Sequence, residues 1–280
     1  MHIAPFENDN KPLVDVDDSI VPLTYFNIVK LERGQAFFYQ TPGYETCVVP
    51  ATGTVDVNVE GANYAAIGQR TENVWDGEPE CVYVPSGAKT EFVCTSKSAE
   101  VFVAGAKYDE VKDPFAVRAD DIDMIQYGSD DTKTHRKIKH ILGTKYNGKV
   151  GRLLVSELFT VGAGGWSGFP SHKHDVDRLP KETLHNEVYN FRFNPDHGFG
   201  MQLLQSDGDV VGEAFHLIDG STFAFNSGYH PCVAAPGYEM YYFTILGGLS
   251  QRSLIQSFQP EHAYQVETIP GIKDMIAKFK

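Results

Sequence analysis

Cysteine is scarce in this chain of 280 residues: Cys47, Cys81, Cys94 and Cys232 stand far apart, and no two form a CxxC pair. Such spacing gives neither a zinc ribbon nor a disulfide framework, and the expectation is four reduced, partly buried thiols in a cytoplasmic protein. Long apolar runs are also missing, since none approaches the ~20 residues that a membrane-spanning helix needs. The N-terminal stretch MHIAPFENDNKPL has no basic segment followed by an apolar one, so no secretory signal is expected. Positive charge is in deficit as well. Twenty-four Lys and Arg face 37 Asp and Glu, a formal net charge of −13, which argues against nucleic acid or an anionic membrane as the main partner. An anionic small molecule stays compatible, because a metal ion or a few local cations override the global field at short range.

Helical signals are few. The clearest is IPGIKDMIAKFK at the C-terminus, where Ile272, Met275, Ile276 and Phe279 fall at i, i+3, i+4 and i+7 behind Pro270. This predicts a short helix whose apolar face packs on the body or on a second subunit of a homo-oligomer. A further helical turn is expected within RADDIDMIQYG (118–128).

What fills the rest is a succession of short apolar or alternating runs, including FNIVKL (26–31), TVDVNVEG (54–61), RLLVSELFTV (152–161), EVYNFRF (187–193) and MYYFTIL (240–246). The alternation in TVDVNVEG is that of a half-buried antiparallel strand. An all-β fold follows, a sandwich or barrel rather than α/β. The halves repeat: DGEPECVYVPSGAK (76–89) and DGSTFAFNSGYH (219–230) share an Asp-Gly turn, an aromatic-rich strand and a Ser-Gly turn, the first ending in Lys89 where the second ends in His230. The expectation is a duplicated pair of β-sandwich barrels with a few short helices: residues 1–115, a linker over 116–144, a second barrel over 145–262 and a helical tail over 263–280.

Histidine is absent from residues 3–134, yet six of the ten lie between 172 and 230. The second barrel therefore carries the chemistry and the first serves as scaffold. In a strand, residues i and i+2 share a face, so His172 and His174 of PSHKHD can converge on one ion, and imidazole is the commonest nitrogen ligand for divalent metals. Two carboxylates compete to join them. Glu182 sits in a polar loop where a solvated carboxylate is the expectation; Glu187 opens a regular strand that fixes its side chain, and it is favoured, with His185 two residues away the main competitor for attention. His230, at the exit of the Gly228 turn, is the third histidine. His197 in NPDHG and His216 in EAFHLIDG read as structural.

The motifs GGWSGFPSHKHDVD (164–177), NEVYNFRFNPDHGFGMQ (186–202) and IDGSTFAFNSGYHPCVAAPGYEMYYF (218–243) resemble those of a cupin family of sugar-acid isomerases. That family includes bacterial 5-deoxy-glucuronate isomerase of inositol catabolism and 5-keto-4-deoxyuronate isomerase of pectin breakdown. Weaker matches, LERGQ (31–35), CVYVPSGA (81–88) and RKIKHIL (136–142), extend the resemblance over about 25–265. It implies a bicupin with one divalent metal per chain, zinc or manganese with iron or nickel as alternatives, held in the second barrel by His172, His174, Glu187 and His230. Twelve residues (175–186) separate the HxH pair from the glutamate, a long insertion that resembles the inositol enzyme.

The implied reaction is aldose–ketose isomerisation of 5-deoxy-glucuronate to 5-dehydro-2-deoxy-gluconate, with a small anionic sugar acid as the partner. By the same resemblance Arg192 and Gln202 match family positions and, with Tyr242, are the candidate catalytic residues; Tyr242, His185 and a water are the candidate bases. Arg136, Lys173 and Arg192 are the candidate cations for the substrate carboxylate. Strand parity places Arg192 opposite Glu187 unless a bulge intervenes, and the charged stretch KTHRKIK (133–139) otherwise reads as a solvated face. Departures from the family pattern occur at Asn190, Phe191 and Asn226. A related uronate isomerase, a metal-dependent cupin dioxygenase and a non-catalytic sugar-acid-binding protein are the competing readings.

Overall fold

The computed structural model describes residues 1–279. Ten strands form the first part of the chain: β1 (His2–Ile3), β2 (Thr24–Glu32), β3 (Ala36–Tyr39), β4 (Tyr44–Thr52), β5 (Val55–Val59), β6 (Ala62–Ile67), β7 (Cys81–Val84), β8 (Thr90–Cys94), β9 (Ser98–Lys107) and β10 (Phe115–Val117). Twelve follow: β11 (Asp123–Tyr127), β12 (Arg136–Leu142), β13 (Leu153–Thr160), β14 (Trp166–Ser167), β15 (His172–Lys173), β16 (His185–Asn194), β17 (Phe199–Leu204), β18 (Glu213–Ile218), β19 (Thr222–Phe225), β20 (Cys232–Ala234), β21 (Glu239–Gly248) and β22 (Ser257–Phe258). The one α-helix among the described residues, α1 (Ile272–Ala277), lies in the C-terminal tail. No helix among them is long and apolar enough to cross a membrane.

Strand order makes the internal repeat visible. The large sheet of the first half contains β7-β4-β9-β2, and that of the second contains β19-β16-β21-β13 in the same sequence of neighbours. The smaller sheets match too, β3-β8-β5-β6 against β14-β20-β17-β18. Valines at 55, 57 and 59 are buried while Asp56 is exposed, so the alternation of β5 points one row of side chains inward.

The structure corrects the expected boundaries. Residues 116–144 are not a linker: β11 and β12 form a hairpin that extends the large sheet of the second half through β12–β13 pairing. Only the 3-10 turn Ala119–Asp121 fulfils the helical expectation there. At the other end, β1 pairs with β19 and so belongs to the second half's sheet. The charges in KTHRKIK hid β12, yet Arg136 and Lys139 are buried.

The two halves share a core. Phe26 and Phe102 of the first pack against Phe243 of the second, with ring centroids 6.1 and 4.9 Å away. A buried fork from Arg70 to Glu157, both N–O distances 2.7 Å, crosses the same boundary, and Tyr241 donates to Glu157. Consequently β16 is covered on both sides. Its even residue Val188 joins the shared core, whereas Tyr189, Phe191 and Phe193 face the interior of the second sandwich.

The C-terminal stripe behaves as its spacing predicts. Ile272, Met275 and Phe279 are buried in the second half's own core, with Ile276 packed against it.

Candidate metal and substrate site

Glu187 stands on β16 directly opposite Leu246 of β21 and Phe225 of β19. Register then brings Tyr189, Thr244 and Tyr242 onto the same inner face, because residues opposite each other in antiparallel strands share a side. His172 and Lys173 form β15, paired with β22, and the step of two residues from His172 to His174 points both rings inward. His230 enters from the turn before β20.

The imidazoles converge on one carboxylate oxygen. His174 Nε2 lies 3.1 Å and His230 Nε2 3.2 Å from Glu187 Oε2. One ligand atom from each of these three buried residues lies within 4.8 Å of the others. His172 is beside this trio rather than inside it: its ring is 5.1 Å from that of His230 and 6.3 Å from that of His174. Its Nε2 faces the Gln256 amide at 2.9 Å.

Protonation geometry identifies what these rings are prepared to do. A backbone carbonyl only accepts, so His172, His174 and His230 each carry a proton on Nδ1, donated to Pro170 O (2.9 Å), His185 O (3.0 Å) and Gly228 O (2.7 Å). In the neutral rings Nε2 then presents a lone pair to the cavity, the arrangement of a metal-ligating histidine with its outer hydrogen bond fixed. His230 Nε2 is buried and, despite its closeness to Glu187, makes no aligned hydrogen bond. Three such nitrogens and one carboxylate fit a divalent ion.

The electrostatics agree. Burial alone would raise the Glu187 carboxyl, but the His174 and His230 imidazoles beside it outweigh burial and hold the group well below the usual carboxylate range. Burial, with His230 beside it, pushes the His172 imidazole down to about 3, so this ring stays neutral. For His174 burial acts downward, but the bond to Glu187 wins and its affinity for a proton rises. A cation is thus favoured at this carboxylate, and a proton competes for the place.

Arg136 reaches the same cavity from β12. Its guanidinium lies 4.6 Å over the Tyr127 ring and donates to Thr134 O and Phe169 O, and it forms no ion pair with an acidic side chain among the described residues. A buried arginine without a counter-carboxylate is prepared for an incoming anion. Tyr242 also lines the cavity, its hydroxyl 2.7 Å from Ser167 Oγ, and burial raises its phenol far above the ordinary value.

Other expected site residues lie elsewhere. Lys173 points away from the histidines that flank it, as strand alternation requires, and its ammonium is held by Asp175 at 2.6 Å and Asp207 at 2.7 Å. It is not a substrate cation. Arg192 has the opposite parity to Glu187, with no bulge in the β16–β21 register to reverse it, and pairs with Glu100 of the first half at 2.8 Å. Neither a catalytic nor a substrate-binding role survives that placement. Gln202 is buried behind the turn, where its amide donates to His230 O (2.7 Å) and Pro231 O (3.1 Å); it holds the backbone of His230 and does not face the cavity.

The rival carboxylate Glu182 is fully buried, not solvated. It accepts the backbone N–H of Asp175 and Val176 and pairs with Arg178, which fixes the 175–186 loop. His185 donates through Nε2 to Arg252 O (3.2 Å); its Nδ1 is buried without a hydrogen-bond partner, and the residue is not part of the cavity lining.

Sequence reasoning passed over Tyr189 and Thr244, although alternation from Glu187 and from Tyr242 marks both. It also passed over Gln256, Met275 and Phe279, whose arrival in the cavity depends on long-range folding.

The matching strand order shows what became of the equivalent place in the first half. Thr46 on β4 pairs with Val84 and Gly105 as Glu187 pairs with Phe225 and Leu246, and its hydroxyl meets Tyr39 OH at 2.9 Å. Lys89 precedes β8 as His230 precedes β20. A threonine and a lysine hold no divalent ion there.

Comparison with known proteins accords with this arrangement. A 5-deoxy-glucuronate isomerase from Geobacillus thermodenitrificans is 29% identical over 265 residues, covering 95% of this chain and 94% of its own. One from Listeria innocua is 29% identical over 237 residues, covering 84% and 85%. An IolB-like protein from Salmonella typhimurium has a solved structure that superposes with a TM-score of 0.79 at 25% identity, covering 86% of this chain and 89% of that one. A variant of Bacillus subtilis oxalate decarboxylase shares the fold at 10% identity, with a TM-score of 0.60 over 95% of this chain and 83% of its own. The fold is all-β and of cupin type. The KduI/IolB family profile matches residues 2–265, and the chain belongs to that family.

Proposed function

We propose that this protein is a metal-dependent aldose–ketose isomerase converting 5-deoxy-glucuronate into 5-dehydro-2-deoxy-gluconate in inositol catabolism. The observation that carries the reading is one site with two complementary features: the Nε2 atoms of His174 and His230 at Glu187 with His172 beside them, and the unpaired guanidinium of Arg136. The first suits a cation, the second an anion. A sugar acid that meets a metal through its carbonyl end and an arginine through its carboxylate uses both. The relatives named 5-deoxy-glucuronate isomerase support this choice of substrate.

His172, His174, Glu187 and His230 would hold the ion, with His172 turning from Gln256 to complete the set. A divalent ion there, zinc or manganese, supplies a Lewis acid for the adjacent carbonyl and hydroxyl oxygens of the sugar. Arg136 binds the carboxylate and fixes the direction in which the chain of carbons lies. Tyr242, kept neutral by burial and 2.7 Å from the Ser167 hydroxyl, donates a hydrogen bond to a substrate oxygen. The apolar residues around them, Leu158 and Leu246 among them, exclude water during the proton transfer.

Elemental analysis and an oxygen-free assay test this reading together. One divalent ion per chain is expected in the wild type and a large loss in His230→Ala, with conversion unchanged when oxygen is removed. Full metal stoichiometry in His230→Ala overturns the ligand set, and a requirement for oxygen overturns the isomerase.

A further inference from the structure

The cavity that contains His172, His174, Glu187 and Arg136 is narrow. Its free space is about 40 Å³, and on that measure one water needs roughly 10–15 Å³. A sugar acid does not fit beside the metal ligands unless a wall moves. The strands do not offer that freedom: β16 is hydrogen-bonded between β19 and β21, and β13 between β12 and β21. Met275 and Phe279 of the C-terminal tail form another part of the wall.

That tail packs Ile269, Ile272, Met275 and Phe279 into the core but has few polar ties to the body. Its backbone is tied by Gly128 N–H to Pro270 O at 2.8 Å and by Leu254 N–H to Phe279 O at 2.7 Å. Lys278 pairs with Asp123 at 2.8 Å, but the two side chains are 40% and 31% exposed, so solvent screens the pair. The helix has six residues, lacks a side-chain cap and begins at Gly271, whose φ of +74° sits in the left-handed region that glycine adopts freely. Its short length and few backbone ties make it easier to displace than the paired strands, and its buried side chains favour reclosure over a bound acid.

We propose that residues 269–279 are the movable wall of the substrate cavity, and that Met275 and Phe279 determine which sugar acids close beneath it. The inference rests on the sugar-acid reading of the cavity. Thioether and phenyl groups offer nothing to bond a hydroxyl, so the closed wall favours an acid that lacks one where they press on it. It disfavours a bulkier, fully hydroxylated uronate.

Two measurements on the metal-loaded protein decide it. The ratio of kcat/KM for glucuronate to that for 5-deoxy-glucuronate is expected to rise about tenfold in Met275→Ala and in Phe279→Ala, within the range that one pocket contact commands. A merely structural role would lower both values together and leave the ratio unchanged. Amide hydrogen exchange over 269–279 in the wild type, which needs no variant to fold, is expected to slow at least tenfold with saturating sugar acid. Wild-type turnover with unchanged ratios and unchanged exchange overturns the movable wall and leaves the isomerase standing. No turnover of either acid by the metal-loaded wild type overturns both.

Discussion

Lys173 Nζ lies 2.6 Å from Asp175 Oδ1, on the far side of β15 from the two imidazoles that bracket it in sequence. The pair has a reach beyond itself. Asp175 Oδ2 accepts the Gly228 N–H at 2.9 Å, and the Gly228 carbonyl accepts the Nδ1 proton of His230 at 2.7 Å. One carboxylate therefore joins the histidine-pair strand to the turn that orients the third histidine.

Asp175→Ala is accordingly expected to weaken metal binding by about 10–100-fold, the usual effect of removing a group that orients a ligand. Titration of the metal-free variant with zinc, read by calorimetry, checks this. The folded fraction should stay high, since Lys173 retains Asp207. An unchanged affinity would show that the turn holds His230 without help from Asp175.

Arg136 and Arg192 provide a contrast between two buried arginines. Truncating one partner of a buried charge pair costs about 2–5 kcal/mol, so Arg136→Ala should reduce kcat/KM for the sugar acid by roughly 30-fold or more while metal content holds. Arg192→Ala should leave KM unaltered and lower the melting temperature, because it loses Glu100 and the Phe102 ring at the boundary between the halves. Steady-state kinetics and thermal denaturation of both variants separate the two outcomes.

Acid should destabilise the fold in a definite window. Burial pushes the His140 imidazole down to about 4 from 6.5, and the ring packs edge-on against Phe279 at 4.9 Å. Its folded pKa lies below its unfolded one, so the unfolded chain binds the proton that the folded chain refuses. The contribution is fully present above pH 6.5 and is lost as pH falls towards about 4, on the order of 3 kcal/mol. Denaturant titrations at pH 7 and pH 4.5 should show a smaller decline in His140→Gln than in the wild type.

Much of the fold and the centre of the site can be read in the amino-acid order, for local reasons. Alternation in β5, the i, i+3, i+4, i+7 stripe ending at Phe279 and the shared Asp-Gly and Ser-Gly turns are all short-range patterns. The concentration of histidine after residue 171 marks the half with the cavity, and regular alternation from Glu187 selects it over Glu182. The hidden features depend on contacts between distant residues. Arg136 looks solvated because its neighbours are charged, yet it is buried with Tyr127 of β11 and Phe169 against it. Lys173 looks like a substrate cation until its three nearby carboxylates are assembled from residues 175, 182 and 207. Arg192 matches a family motif, but the second face of β16 is sealed by the first half of the chain, which a single strand's pattern does not disclose.

Proton NMR of 5-deoxy-glucuronate incubated with the metal-loaded protein is the most direct measurement of function. The aldehyde signal, present as hydrate and cyclic forms, should decline as 5-dehydro-2-deoxy-gluconate appears in equal amount, and chelation should stop the conversion until metal is restored. A metal-loaded, folded protein that leaves this sugar acid unchanged would contradict the assignment.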